Sequence, residues 1–272
     1  MIGGPSGART LPDVLVLLPP SRSHCPVPAR GRRLDLATLS FPSLTPVRSR
    51  VLQALAEASL ADDAAERFGV GAKLLDDVRR NARLTQLPTV EAGRLYTGVL
   101  YDALDLASLD AAALRRARRR IVVTSGLWGA LRLADRVPAY RLGMDVALPG
   151  LPTLASLWRP ALTEPLTEAA GPKGLVVDCR SADYAAAWPL TGTLAGRSIA
   201  IRALHEGPNG RTVISHMAKH VRGLLARRLM LADVEPRTPK ALAAQLTAAN
   251  WNVELGPPVR PGTPWRLDVI TT

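Results

Sequence analysis

The stretch "SLDAAALRRARRRIVVTS" (residues 108–125) decides the fold class, because a helical pattern changes directly into a strand pattern within it. Ser108 is a typical N-cap residue, and arginines crowd the last turns, where cations interact favourably with the helix dipole. The residues that follow, 121–125, are rich in β-branched side chains and predict a strand. A helix that runs straight into a strand indicates an α/β architecture.

Strands, loops and helices recur on both sides of this stretch. The run "DVLVLLPP" (13–20) predicts a buried strand that two prolines close, and "PWRLDVI" (264–270) predicts a closing strand from its alternation. Further strands are predicted at "GLVVDCRS" (174–181), "RSIAIRAL" (197–204) and "RTVIS" (211–215), and helices at 46–83, 216–230 and 239–250. We therefore predict a mixed α/β (α+β) fold with a central mixed sheet and surrounding helices. Residues 13–272 would form one domain with a helical insertion at about 47–119, after a disordered arm at 1–12.

Charge and composition favour an anionic partner. The 272-residue chain has a formal net charge of +12 at pH 7, which favours nucleic acid, nucleotides or phosphorylated ligands. Arginine is so much commoner than lysine that a GC-rich genome offers an alternative explanation of the surplus. No stretch is long and apolar enough for a membrane span, no signal peptide is recognisable, and two distant cysteines form no disulfide framework. We expect a cytoplasmic protein with no membrane contact.

A turn at Gly69-Val70-Gly71 separates two helical stretches. A glycine-apolar-glycine turn of this kind is typical of a helix–hairpin–helix element, whose backbone N–H groups bind phosphate. Cations near this turn and on two later helices would extend a nucleic-acid surface: Lys73, Arg79, Arg80, Arg116, Arg119 and Arg222. The alternative is an ordinary helix–turn–helix with a glycine cap.

Polar side chains follow the predicted strands, at the edge where open α/β sheets bind ligands. After the strand at 121–125, the turn at 125–129 offers successive N–H groups to an anion. The candidate pocket residues are Ser125, Asp135, Arg141, Ser181, Tyr184 and Lys219. The alternative is that Arg132 pairs with Asp135 and Arg141 with Asp145 as purely structural bridges.

Metal and cofactor signals are weak. His216 and His220 lie four residues apart on a predicted helix and suit one metal ion, but no third ligand stands out. Cys179 is interpreted as a small buried hydrophobe. The nucleotide, dinucleotide, hydrolase and zinc-protease motifs are absent from the sequence, so we predict neither a cofactor nor a metal.

Six blocks together resemble the YaaA family of bacterial peroxide-stress proteins. They are "VLVLLPPS" (14–21), "LYTGVLYDAL" (95–104), "SGLWGALRLADRVPAYRLGMD" (125–145), "LWRPAL" (157–162), "LVVDCRSADYAAAW" (175–188) and "VISHMAKHVRGLLARRLM" (213–230). The resemblance implies a single α/β domain with a helix–hairpin–helix and a positively charged cleft, DNA binding, and a role in limiting iron-driven oxidative damage. The positions that match by motif are Ser21, Tyr96, Thr97, Gly98, Ser125, Gly126, Gly129, Arg132, Asp135, Tyr140, Arg141, Ser181, Tyr184, Lys219, Arg222 and Gly223. Family members usually have a lysine in the loop after the first strand, where this chain has Arg22, so the chemistry of a lysine is lost there.

Two functions follow from these patterns. The first is a DNA-binding protein of the peroxide-stress type that contacts the phosphate backbone without sequence preference. The second is an enzyme of a hydrolase, lyase or base-excising type, with the strand-end residues in one pocket that holds an anionic small molecule or a nucleobase.

Overall fold

A computed structural model describes residues 14–208 and 210–271, and its central sheet has the strand order β4-β3-β1-β6-β7-β10-β9, with β8 paired to β7. The strands are β1 (Val14–Leu18), β2 (Val90–Glu91), β3 (Ile121–Ser125), β4 (Gly129–Arg132), β5 (Arg136–Val137), β6 (Leu175–Asp178), β7 (Ser198–Gly207), β8 (Gly210–Thr212), β9 (Val253–Gly256) and β10 (Trp265–Thr271). The five central strands are parallel, whereas β4, β8 and β9 pair antiparallel with their neighbours. The mixed α/β fold predicted from the sequence is confirmed.

The helices surround the sheet. They are α1 (Thr45–Leu60), α2 (Ala64–Arg67), α3 (Ala72–Arg79), α4 (Ala92–Leu95), α5 (Val99–Leu104), α6 (Ala111–Arg120), α7 (Leu154–Ala170), α8 (Ala182–Ala186), α9 (Gly192–Ala195), α10 (Ser215–Leu231) and α11 (Pro239–Ala248). Short 3₁₀ turns occupy Leu36–Thr38, Pro42–Leu44, Arg80–Gln86 and Leu106–Ser108. Helices α1 to α6 lie between β1 and β3, where the sequence places the helical insertion. The arm predicted at 1–12 lies outside the described residues.

Burial on both faces explains why the central strands do not alternate polar and apolar residues. Every residue of β1, β3 and β6 is buried, because helices cover both faces of a parallel sheet. Helices α6 and α7 both pack on β1, and α10 packs on β7 and on α5.

Two local predictions are wrong. Helix α6 is capped by Asp110, whose side chain accepts from Ala113 N, and Ser108 instead ends a 3₁₀ turn. The predicted strand at 211–215 shortens to β8, because the chain enters α10 at Ser215. The turn predicted at 125–129 is the turn of a β-hairpin, since β4 folds back along β3.

Helix α10 crosses α5 at close range at Gly223. A Cβ atom at this position would overlap the backbone carbonyl of Leu100 and lie 2.8 Å from Ala103 Cβ. The two helix backbones therefore touch with no side chain between them.

We expect Gly223→Ala to destabilise the protein by about 2 kcal/mol, since the overlapping atom belongs to a backbone that cannot rotate away. Urea unfolding measures this change. Gly196→Ala is the matched control, because a Cβ there meets only Thr193 O at 3.6 Å and Gly196 has φ −61°. Equal stability of the two variants would contradict the close crossing.

Candidate functional site

A cleft of about 430 Å³ opens at the carboxyl ends of β1 and β6. The loop after β1 supplies Ser21 and Arg22, and the first turn after β6 supplies Ser181 and Tyr184. The remaining walls are the start of α5, one face of α10 and the loop 140–146. The structure thus brings four of the predicted pocket residues to one cleft: Arg141, Ser181, Tyr184 and Lys219.

Positive charge dominates this cleft. Its cations are Arg22, Arg141, Lys219 and Arg222, and its carboxylates are Asp145 and Asp183. Arg222 Nη2 donates to Ile201 O at 3.2 Å, but its buried Nε has no hydrogen-bond partner among the described residues. An unpaired buried donor is costly, so the hydrogen bonding of this guanidinium is incomplete among the described residues.

Arg141 is positioned by a side chain that the sequence did not reveal. Asn81 donates from Nδ2 to Arg141 O and accepts from Arg141 N at Oδ1, both at 2.9 Å. Asn81 is buried in the 3₁₀ turn Arg80–Gln86, which follows α3, and it also donates to Ser59 Oγ. A lone asparagine in a polar segment carries no pattern that could have predicted this pairing.

Tyr184 is held by a buried ion pair. Arg180 donates twice to the Asp178 carboxylate at 2.8 Å, and it also donates to the backbone carbonyls of Tyr184 and Trp188. Both members of the pair are buried, so α8 is fixed to the end of β6. Burial raises the pKa of Tyr184 far above its ordinary value, so its hydroxyl is a neutral hydrogen-bond donor at pH 7.

Ser125 lies behind the cleft rather than in it. Its hydroxyl oxygen accepts from Leu127 N and Trp128 N, so its proton is directed to Tyr140 Oη at 2.7 Å. Tyr140 Oη lies 2.9 Å from Tyr96 Oη, and both rings are buried. The turn N–H groups expected to bind an anion are therefore occupied by the serine of the same turn.

Asp135 does not line the cleft. Its carboxylate accepts from Ser40 N at 2.9 Å, Ser40 Oγ at 2.8 Å and Arg132 N at 2.8 Å. Asp135 therefore has a structural role, as in the alternative given above, and the group of Arg132 that it binds is the backbone N–H.

The Gly69–Gly71 turn adjoins the cleft. Phe68, which precedes it, forms part of the cleft wall, and Arg67 donates to Ala147 O. Gly69 has φ +57°, and a Cβ atom at Gly69 or Gly71 would meet nothing within 4 Å. No side chain caps the start of α3. The backbone of the turn is therefore open to an approaching ligand.

Charges around this turn are balanced. Residues 62–83 contain five acidic and five basic side chains, namely Asp62, Asp63, Glu66, Asp76 and Asp77 against Arg67, Lys73, Arg79, Arg80 and Arg83. Arg79 and Arg80 pair with Asp76 and Asp77 at 3.8 and 3.2 Å. The net charge of +12 therefore resides elsewhere.

The other residues predicted to contact nucleic acid differ in their exposure and in their partners. Arg119 is exposed, whereas Arg116 donates to Met230 O and so joins α6 to the end of α10. His216 and His220 are exposed on α10. Within the described residues no group of three or more His, Cys, Asp or Glu side chains is arranged to hold a metal ion. The described helices include none with the length and apolarity needed to cross a bilayer.

A second cavity of about 600 Å³ lies beside the cleft, between the loop 22–29 and the end of α3. His24 lines it, with its ring centroid 5.6 Å from that of Tyr96 and 5.5 Å from that of Tyr140. Burial, aided by the charge of Arg141, lowers the pKa of His24 from 6.5 to about 4.

This lowered pKa makes stability depend on pH. The unfolded chain binds a proton at His24 more readily than the folded protein, so acid favours unfolding as the pH falls from 6.5 towards 4. We expect the free energy of unfolding to fall by about 2 kcal/mol between pH 7.5 and pH 5, measured by urea unfolding. His24→Gln should remove most of this fall, whereas His220→Gln, at an exposed position, should leave it unchanged. An unaltered pH dependence in His24→Gln would contradict a buried neutral imidazole.

Comparison with known proteins identifies the family. A family model described as peroxide stress protein YaaA matches residues 14–254. A UPF0246 protein of Streptomyces coelicolor is 46% identical over 94% of this chain and 98% of its own length. UPF0246 proteins of Corynebacterium efficiens and Corynebacterium glutamicum are 37% and 35% identical, over 89% and 90% of this chain and 95% and 96% of their own lengths. The chain belongs to the YaaA family of peroxide stress proteins.

Proposed function

We propose that this protein binds the phosphate backbone of nucleic acid in the cleft and at the adjoining Gly69–Gly71 turn, as a cytoplasmic protein of peroxide stress. The observation that carries the proposal is the convergence of Arg22, Arg141, Lys219 and Arg222 on one cleft. Cations in a concave site contact phosphates directly and raise the local potential for a polyanion.

The turn supports this proposal through its backbone. An uncapped helix start presents N–H groups to a phosphate, and glycine lets the phosphate come close. Its neighbours are charge-balanced, so its role in the proposal is to position a strand of nucleic acid rather than to attract it. In that respect it would act as the helix–hairpin–helix predicted from the sequence.

Long-range attraction comes from another segment. The loop after β1 carries Arg22, Arg30, Arg32 and Arg33, all exposed, and no acidic residue between residues 19 and 34. Its first part forms a wall of the second cavity together with Arg80 and Arg141. A continuous track from this loop into the cleft suits a flexible single strand or the backbone of a duplex.

The proposal is tested by measuring the affinity for a fluorescent 20-base-pair DNA duplex at increasing salt concentrations. We expect the wild type to lose affinity steeply with salt, and Arg141→Ala to bind about tenfold more weakly with a slope reduced by about one. Gly71→Ala should also bind more weakly, because its methyl group fills the approach to the turn at an ordinary φ of −76°. Arg50→Ala is the charge-matched control, since Arg50 is exposed on α1 and lines neither cavity. Binding that is independent of salt, or equally weakened in all three variants, would contradict the proposal.

An enzymatic role is the second candidate, and the enclosure of Tyr184, Ser181 and Lys219 in one cleft favours it. The neutral hydroxyl of Tyr184 would donate a hydrogen bond to a bound anionic small molecule or nucleobase and so orient it, in a hydrolase, lyase or base-excising reaction.

Base release from oligonucleotides with damaged or deaminated bases tests this second candidate. We expect alkali-labile abasic sites with the wild type and none with Tyr184→Phe, while DNA binding persists in both. Absence of abasic sites with the wild type would leave the base-excising form of this candidate without support.

A further inference from the structure

A weak ion pair crosses the mouth of the cleft. Arg22 Nη2 lies 3.4 Å from Asp145 Oδ2 and 3.5 Å from Asp145 Oδ1. Arg22 belongs to the loop after β1 and Asp145 to the loop that follows Tyr140, and both line the cleft. The pair therefore joins the two loops over the site where the proposed ligand enters.

We propose that Arg22 forms an anion subsite at this mouth and that Asp145 occupies it as a built-in competitor, which a phosphate of the ligand displaces. The inference rests on the proposed function, because it assumes that the ligand of the cleft carries phosphate. The carboxylate of Asp145 stands where a phosphate oxygen would bind the guanidinium.

The local backbone lets Asp145 fold back into this position. A Cβ atom at Gly143 would overlap Asp145 Oδ1 and lie 3.4 Å from Arg22 Nη2. The carboxylate thus lies over residue 143 in space that any side chain there would fill. Glycine at this position is what gives Asp145 access to Arg22.

Exposure makes the pair easy to displace. The side chains of Arg22 and Asp145 are 71% and 57% exposed, and ion pairs in water are weak. The Arg180–Asp178 pair beneath the same cleft is the opposite case, since its side chains are 0% and 9% exposed and it makes several hydrogen bonds. A phosphate with two charges and several acceptor oxygens offers Arg22 a stronger partner than one exposed carboxylate.

Tyr184 would register the exchange. Arg22 and Asp145 act on its hydroxyl in opposite directions, the arginine favouring and the aspartate disfavouring its ionised form. Replacement of the carboxylate by the ligand would therefore change the electrostatic surroundings of the Tyr184 hydroxyl, the group on which the second candidate function depends.

The test is a double-mutant cycle with inorganic pyrophosphate as the probe, measured by calorimetry at low salt. We expect Asp145→Asn to tighten pyrophosphate binding about two- to fivefold. Asp183→Asn is the matched control, since it removes the same charge from the same cleft and Asp183 forms no ion pair with any described residue. In an Arg22→Ala background the gain from Asp145→Asn should fall to that of Asp183→Asn.

Three outcomes would overturn the inference: equal gains from the two asparagine variants, a gain that persists without Arg22, or no pyrophosphate binding even with Asp145→Asn. Thermal melting of each variant confirms that it is folded. The same proteins are titrated with the 20-base-pair duplex. If the wild type binds DNA but the double-mutant cycle shows no coupling between Arg22 and Asp145, only the built-in competitor is refuted. Absence of wild-type DNA binding refutes the proposed function instead.

Discussion

The buried guanidinium of Arg48 is the interaction on which the cleft side of the sheet depends. It donates to Trp128 O at 3.0 Å, Ala130 O at 2.9 Å and Ser40 O at 2.8 Å, and so ties α1 to the hairpin of β3 and β4. Burial lowers the pKa of Arg48 from 12.5 to about 10, and the charge of Asp135 opposes that shift. Asp135 in turn accepts two hydrogen bonds from Ser40, so the two charges share one partner residue.

This network sets the geometry of the site above it. The hairpin that Arg48 fixes contains the turn at Ser125, whose hydroxyl contacts Tyr140. Tyr140 lines both cavities and precedes Arg141 in the chain. Arg48, a buried arginine that lines neither cavity, is therefore connected to the cleft through Ser125 and Tyr140.

Sequence patterns predicted the strands and their shared polar edge well. Runs of aliphatic residues at 14–18 and 175–178 identified buried strands, and the parallel pairing that the structure gives them places Ser21 and Ser181 at one end of the sheet. The patterns failed to separate Asp135 from Asp145, because a carboxylate after a strand looks the same whether it faces a backbone N–H or a cleft. They also missed Asn81, since its partner is a backbone 60 residues away. Ser108 and Asp110 are both favourable N-cap residues, so the sequence alone did not show that Asp110 caps the helix.

Many arginines in this chain bind backbone carbonyls. Arg197 donates to carbonyls that follow α7, Arg227 to those that end α5, and Arg116 and Arg120 to those that end α10. A guanidinium holds its five donors in a rigid planar fork, whereas the lysine ammonium is a compact point charge, so these positions favour arginine for structural reasons. Their charges still add to the electrostatic field around the protein, but their donors are already bound to backbone carbonyls. The net charge therefore overstates the number of arginines that can contact a phosphate.

The crossing of α5 and α10 at Gly223 fixes two walls of the cleft against each other. Helix α5 contributes Val99 and Leu100 to the cleft and α10 contributes Lys219 and Arg222, and their backbones touch. Because the two backbones are in contact at Gly223, neither helix can move towards the other. Lys219 and Arg222 lie three residues apart on the same helix, so the distance between them is fixed by that helix. The opposite wall, the loop from Tyr140 to Val146, is joined to the loop after β1 at the mouth only by one exposed ion pair. The cations of the helical wall therefore keep one spacing, and the loop wall opposite is held at Arg141 by Asn81 and at Tyr140 by Ser125.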